Sequence, residues 1–109
     1  MNELIKRIEK LEFQQRMLLE MIPGEGNDFY RLVIKKGLSE MEVENFYNLC
    51  ERLNNHSQEQ KAEGFVFFAP LFKEFTENLD PRFSPEEVIE ACTAQGLYPL
   101  LMEQLRRNL

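Results

Sequence analysis

The sequence predicts an all-α protein, a single multihelical domain of about five to six helices. Apolar residues recur at three- and four-residue steps, two segments open with a serine capping box, and glycine or proline separates the segments. The 109 residues suit one domain, and a hydrophobic content of 43% is enough for a core and argues against disorder. The run at residues 65–68 could be a strand, but it has no partner strand, so we interpret it as an extended link.

The first segment, residues 2–22, predicts a long helix with a three-heptad apolar stripe. A helix of this length is marginal in water when it stands alone. Its stripe also precedes a glycine-containing joint, so the helix is not rigidly tied to the rest of the chain. We therefore expect it to associate with copies of itself, as a dimer or a trimer. The predicted oligomer interface comprises Leu4, Ile8, Leu11, Gln15, Leu18 and Ile22.

Residues 23–28 contain one proline and two glycines and predict a flexible joint. A short second helix, about residues 29–36, follows a cap at Asn27 or Asp28. Gly37 is placed to end this helix as a C-terminal cap. The chain thus divides into an N-terminal oligomerisation helix (residues 1–22), the joint, and a helical body (residues 29–109).

In the body, Ser39 and Glu42 form a capping box that predicts the start of the third helix. The polar residues 54–57 weaken this helix, and two alternatives follow. Either Ser57 caps a separate turn, or the helix continues to Glu63.

Pro70 suits the first turn of a fourth helix, which residues 80–81 stop. A second capping box at Ser84 and Glu87 starts the fifth helix. The last helix is expected at about residues 98–108.

A cluster of phenylalanines around the fourth helix is the most unusual feature of the composition. Packing in the core is the first interpretation. An extended link cannot point all of its phenylalanines inward, so a hydrophobic contact site for a partner protein is the second. The third is an apolar pocket for a small molecule, closed by the last helix. The residues concerned are Phe65, Phe67, Phe68, Phe72 and Phe75.

Catalysis requires convergent groups of matched type, and the sequence indicates none. A Cys50–His56 pair would be six residues apart on one helix, which turns the two side chains away from each other. Cys50 and Cys92 lie on the apolar sides of their helices, which predicts buried, reduced thiols. No pair of residues has metal-ligand spacing. We therefore expect no enzymatic activity, no cofactor and no metal.

Charge and hydropathy restrict the partners and the compartment. Thirteen basic against nineteen acidic residues, a net charge of −6, disfavour binding to nucleic acid. No stretch approaches the ~20 apolar residues of a membrane span. The first residues lack the apolar core and cleavage site of a secretory signal, so we expect a cytoplasmic protein.

The chain resembles the YhaI-like family of bacterial proteins, a domain of unknown function. The resemblance covers nearly the whole length and lies in residues 7–12, 36–39, 60–66, 95–98 and 101–103. It implies a multihelical fold and self-association, and it carries over no catalytic residue. We therefore predict a non-enzymatic, homo-oligomeric protein that acts through protein–protein interaction. The alternative is a small-molecule-binding regulator with the phenylalanine pocket.

Overall fold

The computed structural model describes residues 1–23, 25–64 and 68–109, with residues 68 and 69 described in their backbone alone. Within these residues the chain forms six α-helices and no strand, so the all-α prediction is confirmed. The helices are α1 (Asn2–Met21), α2 (Asp28–Lys36), α3 (Glu40–Ala62), α4 (Phe68–Asn78), α5 (Pro85–Gln95) and α6 (Pro99–Arg106).

Both predicted capping boxes are present and define the starts of α3 and α5. The Ser39 backbone N–H donates to the Glu42 carboxylate at 2.7 Å, and the Glu42 N–H donates to the Ser39 hydroxyl oxygen at 3.2 Å. Ser84 and Glu87 make the same pair of bonds. Gly37 ends α2 in the left-handed conformation, with φ of 73°, as the sequence predicts.

Helix α3 continues without a break through residues 54–57 to Ala62, so the alternative of one long helix is correct. Ser57 does not cap a new turn, because it faces inward and is almost fully buried. Its hydroxyl donates a hydrogen bond to the side-chain oxygen of Gln104 on α6. A buried hydroxyl needs such a partner, and α6 supplies it.

The core lies among α2 to α6. Helix α5 packs against α2 and α6, and α3 packs against α4 and α6. Phe29 of α2 stacks on Phe46 of α3 at 5.1 Å between ring centroids. The buried apolar residues are Phe29, Phe46, Leu49, Cys50, Leu53, Leu71, Phe75, Phe83, Val88, Ile89, Ala91, Cys92, Leu101, Met102 and Leu105. Helix α1 contributes none of them.

The last helix begins at Pro99, one residue later than predicted, because Tyr98 is in the left-handed conformation with φ of 47°. A proline disfavours the right-handed helical conformation for the residue before it. Tyr98 therefore turns the chain between α5 and α6, and its hydroxyl lies 3.5 Å from the Tyr47 carbonyl oxygen.

Candidate functional site

Helix α1 is continuous over 20 residues and is therefore about 30 Å long. Glu3 lies in its first turn, where the helix dipole favours a negative charge. The helix ends at Met21, and the next residue, Ile22, has an extended backbone because Pro23 follows it. None of the helix residues is buried, and only Leu19 is as much as half-buried. This helix is the least covered element of the fold.

The predicted oligomer interface lies on one face of α1. With 3.6 residues per turn, the five positions within the helix fall in an arc of about 80°, and Ile22 directly follows the last helical residue. The apolar members are between 41% and 63% exposed, and the polar member is exposed as well. The members of this apolar seam are Leu4, Ile8, Leu11, Gln15, Leu18 and Ile22. The structure therefore places five of them on one face of α1 and Ile22 just beyond its end, and all six are exposed to solvent.

Apolar side chains also lie outside the seam. Phe13 is on the opposite side of α1 and is 53% exposed, with the Arg16 guanidinium 5.9 Å from its ring centroid. Met17 and Met21 are exposed on intermediate faces. Exposed apolar side chains are thus present around most of the circumference of α1.

Arg31 of α2 ties the end of α1 to the body. Its guanidinium donates to the carbonyl oxygens of Leu19, at 2.9 Å, and Ile22, at 2.6 Å. These carbonyls belong to the last turn of a helix that has no basic residue of its own there, so Arg31 acts as the missing cap. Tyr30 and Ile34 are among the further residues that line a cavity of about 80 Å³ beside them. Sequence reasoning missed Arg31, because a contact made across a joint has no periodic signal.

The structure describes only part of the phenylalanine cluster. Phe75 is fully buried and lies edge-on to Phe46, with ring centroids 6.3 Å apart. Phe72 is half-buried and packs against the core. Phe65, Phe67 and the side chain of Phe68 lie outside the described residues. The backbone of Phe68 begins α4, so the prediction of an extended link is wrong at this residue. Core packing is the correct interpretation for Phe75, while the contact site and the pocket stay predictions.

The two thiols lie inside the body. Cys50 and Cys92 are both buried and free, which confirms the interpretation as reduced core residues. Burial, with smaller contributions from Cys92 and Glu51, raises the pKa of Cys50 far above its usual value. Burial raises the pKa of Cys92 to about 12. His56 is exposed on α3, so it does not share the environment of Cys50.

A family model described as a protein of unknown function, DUF1878, matches residues 1–109. The chain belongs to the DUF1878 family. Because the match includes residues 2–21, the exposed helix is part of the family domain and not an addition to it.

Two further observations concern the part of this DUF1878 chain that the structure describes. There, no three histidine, cysteine, aspartate or glutamate side chains are grouped so that they could hold a metal ion. Nor does any helix within that part combine the length and the apolar character needed to cross a membrane.

A groove of about 280 Å³ lies between α3 and α6. The residues that line it are mainly of polar and charged types, and include Asn54, Gln58, Lys61 and Glu103. It differs in place and chemistry from the apolar pocket predicted at the phenylalanines. The seam on α1 is the predicted site whose residues the structure describes in full, and its role as an interface stays a prediction.

Proposed function

We propose that this DUF1878 protein is a non-enzymatic helical protein that forms a homo-oligomer, a dimer or a trimer, through α1. The body of α2 to α6 then remains available to a protein partner. One observation carries the proposal. Helix α1 buries none of its residues although its seam is apolar, whereas the core of the body includes no residue of α1.

The physical argument concerns what α1 gains from a copy of itself. A 20-residue helix that packs on nothing is marginally stable in water. Full burial of one leucine or isoleucine side chain contributes about 1.5–3 kcal/mol. The seam has five such side chains, all more than two-fifths exposed. A second copy presents the same stripe, so one contact covers both seams.

The chemistry of the body supports a non-enzymatic role. Cys50 and Cys92 are protonated at neutral pH because burial raises their pKa values, and the thiolate is the reactive form. His56 is exposed, whereas both thiols are buried. A cysteine–histidine pair, the one nucleophile and base considered from the sequence, is therefore disfavoured.

Light scattering at high micromolar concentration tests the self-association. We expect a mass two or three times the 13.0 kDa of the chain. The double variant Leu11→Glu/Leu18→Glu places two charges in the seam and should be monomeric. Phe13→Glu/Met17→Glu is a matched control, since it replaces two apolar residues of similar exposure outside the seam with the same charges.

The two variants separate the outcomes. A monomeric unmodified chain would overturn the proposal. An oligomer of unchanged mass in the Leu11→Glu/Leu18→Glu variant would show that the interface lies elsewhere. A loss of mass in both variants would indicate a general effect of charge on α1, and far-ultraviolet circular dichroism would show whether the helix itself has melted.

The partner is tested separately. We also propose that the protein is a cytoplasmic member of the YhaI-like family. Native mass spectrometry of the protein purified from its own host reports copy number and bound partners together. A homo-oligomer with a constant added protein mass is expected. A homo-oligomer that is always bare would contradict the partner part and leave the self-association intact.

A further inference from the structure

The polar member of the seam distinguishes the two ways in which copies of α1 can pair. Gln15 occupies an a position of the heptad, and every d position is a leucine, at Leu4, Leu11 and Leu18. In an antiparallel pair each a position faces a d position, so the Gln15 amide would face leucine in every register. A buried amide without a partner is costly. In a parallel, in-register pair, Gln15 faces Gln15 of the second copy, and the two amides can bond to each other.

The charged residues beside the seam also favour a parallel pair over an antiparallel one. Arg7 is at a g position and Glu12 is at the e position five residues later, and both are exposed. Parallel helices place g opposite the following e of the partner, so Arg7 of one copy faces Glu12 of the other. The antiparallel register with the longest overlap would instead bring the two Glu12 side chains together, and like charges repel.

The remaining seam positions and the joint are consistent with this order. Ile8 and Ile22 at a with leucine at d form the combination that gives two strands when the helices of a coiled coil run parallel. Parallel order also brings both bodies to the C-terminal end of α1. Met21 and Tyr30 are exposed at that end and would come close to the second body.

We propose that the α1 helices of the oligomer run parallel and in register, with Gln15 against Gln15 and Arg7 against Glu12 of the next copy. This arrangement rests on the proposed function, since it requires that α1 is the interface. The occupant of the seam is thus a second copy of this chain, and both bodies lie at one end of the coil.

Disulfide trapping tests the order. Leu4→Cys and Leu18→Cys are prepared as separate variants and oxidised at the concentration where the mass is that of the oligomer. A disulfide needs Cα atoms about 4.4–6.8 Å apart. Parallel order brings each new cysteine next to the same cysteine of the second copy, so both variants should form covalent dimers. In the longest antiparallel overlap the separations along the axis are about 27 Å and 15 Å, because each residue rises 1.5 Å.

Two controls accompany the trapping. The unmodified chain should stay uncrosslinked, because Cys50 and Cys92 are buried. Phe13→Cys should also stay uncrosslinked, because it lies opposite the seam. An antiparallel pair would instead crosslink Ile8→Cys with Leu18→Cys in a mixture, one of them carrying a tag so that the mixed dimer is resolved by mass.

The outcomes separate this inference from the proposed function. Self-crosslinking at both positions supports parallel order. A different result is that the variants form an oligomer of the same mass as the unmodified chain and yet show no self-crosslinking at either position. That result overturns the parallel order, while the proposed function stands. A monomeric unmodified chain overturns the proposed function first.

Discussion

Gln95 accepts a hydrogen bond from the backbone N–H of Phe29, at 2.9 Å from its side-chain oxygen, although 66 residues separate the two. The Tyr30 N–H donates to the same oxygen at 3.2 Å. Asn27 occupies the predicted N-cap position of α2 but makes no side-chain cap bond. Helix α5 therefore caps α2, and α2 in turn holds the end of α1 through Arg31.

Replacement of Gln95 should destabilise the body through α2. We expect Gln95→Ala to lower the free energy of unfolding by about 1 kcal/mol, as the loss of a helix cap does. Gln95→Glu keeps an acceptor oxygen beside the N-terminus of α2, so its loss should be smaller. Urea denaturation measures both. Equal losses would show that the cap bond contributes little.

Arg31→Ala should loosen the junction between α1 and the body. It removes both hydrogen bonds to the Leu19 and Ile22 carbonyls. We expect amide hydrogen exchange in the last turn of α1 to become about five- to tenfold faster, corresponding to roughly 1 kcal/mol. Amides of α6 in the same sample are the internal control. Unchanged exchange in α1 would mean that other contacts hold its end.

Acid should weaken the start of α3. Bonds from the Ser39 backbone and hydroxyl, together with Arg82, hold the pKa of Glu42 below its usual 4.5. Arg82 likewise holds the pKa of Asp80 below its usual 3.8. The folded carboxylates thus bind protons more weakly than the unfolded ones. Their stabilisation is complete above about pH 5 and is lost as the pH falls towards the lowered values.

We therefore expect the thermal midpoint to fall between about pH 5 and pH 3, and to fall less in Glu42→Gln/Asp80→Asn. Glu44→Gln removes a charge from the same part of α3 without touching the capping box and should keep the full acid response. An acid response in the double variant as steep as that of the unmodified chain would contradict the assignment.

Replacement of Phe75 should destabilise the protein much more than replacement of Phe72, although both belong to the predicted phenylalanine cluster. We expect Phe75→Ala to cost about 3–5 kcal/mol, because its ring is fully buried and leaves a cavity. Phe72→Ala should cost clearly less, because the ring is only half-buried. Chemical denaturation measures both. A cost under about 1 kcal/mol for Phe75→Ala would contradict its place in the core.

The thiols should be unreactive in the folded protein. At neutral pH both are protonated, because burial raises the pKa values of Cys50 and Cys92. We expect a disulfide exchange reagent to label neither within the time in which the guanidinium-unfolded chain reacts at both. Prompt labelling of one thiol in the folded chain would show that it is accessible and would weaken the non-enzymatic interpretation.

The helix starts and ends were predictable because they depend on residues within four positions of each other. The pairs Ser39–Glu42 and Ser84–Glu87, and the glycine at position 37, act through bonds that close within one turn. The seam on α1 was predictable for the same reason, since helical periodicity alone places its members on one face.

The sequence by itself thus determined the all-α class, most helix boundaries and the composition of the seam. Only the tertiary structure decided that α3 runs on past Ser57, that Gln95 caps α2, and that α1 stays outside the core. Each of these depends on partners brought together from distant parts of the chain. Local spacing carries no information about such partners, because a buried hydroxyl or a helix N-terminus can bond to any suitable polar side chain that packing places beside it.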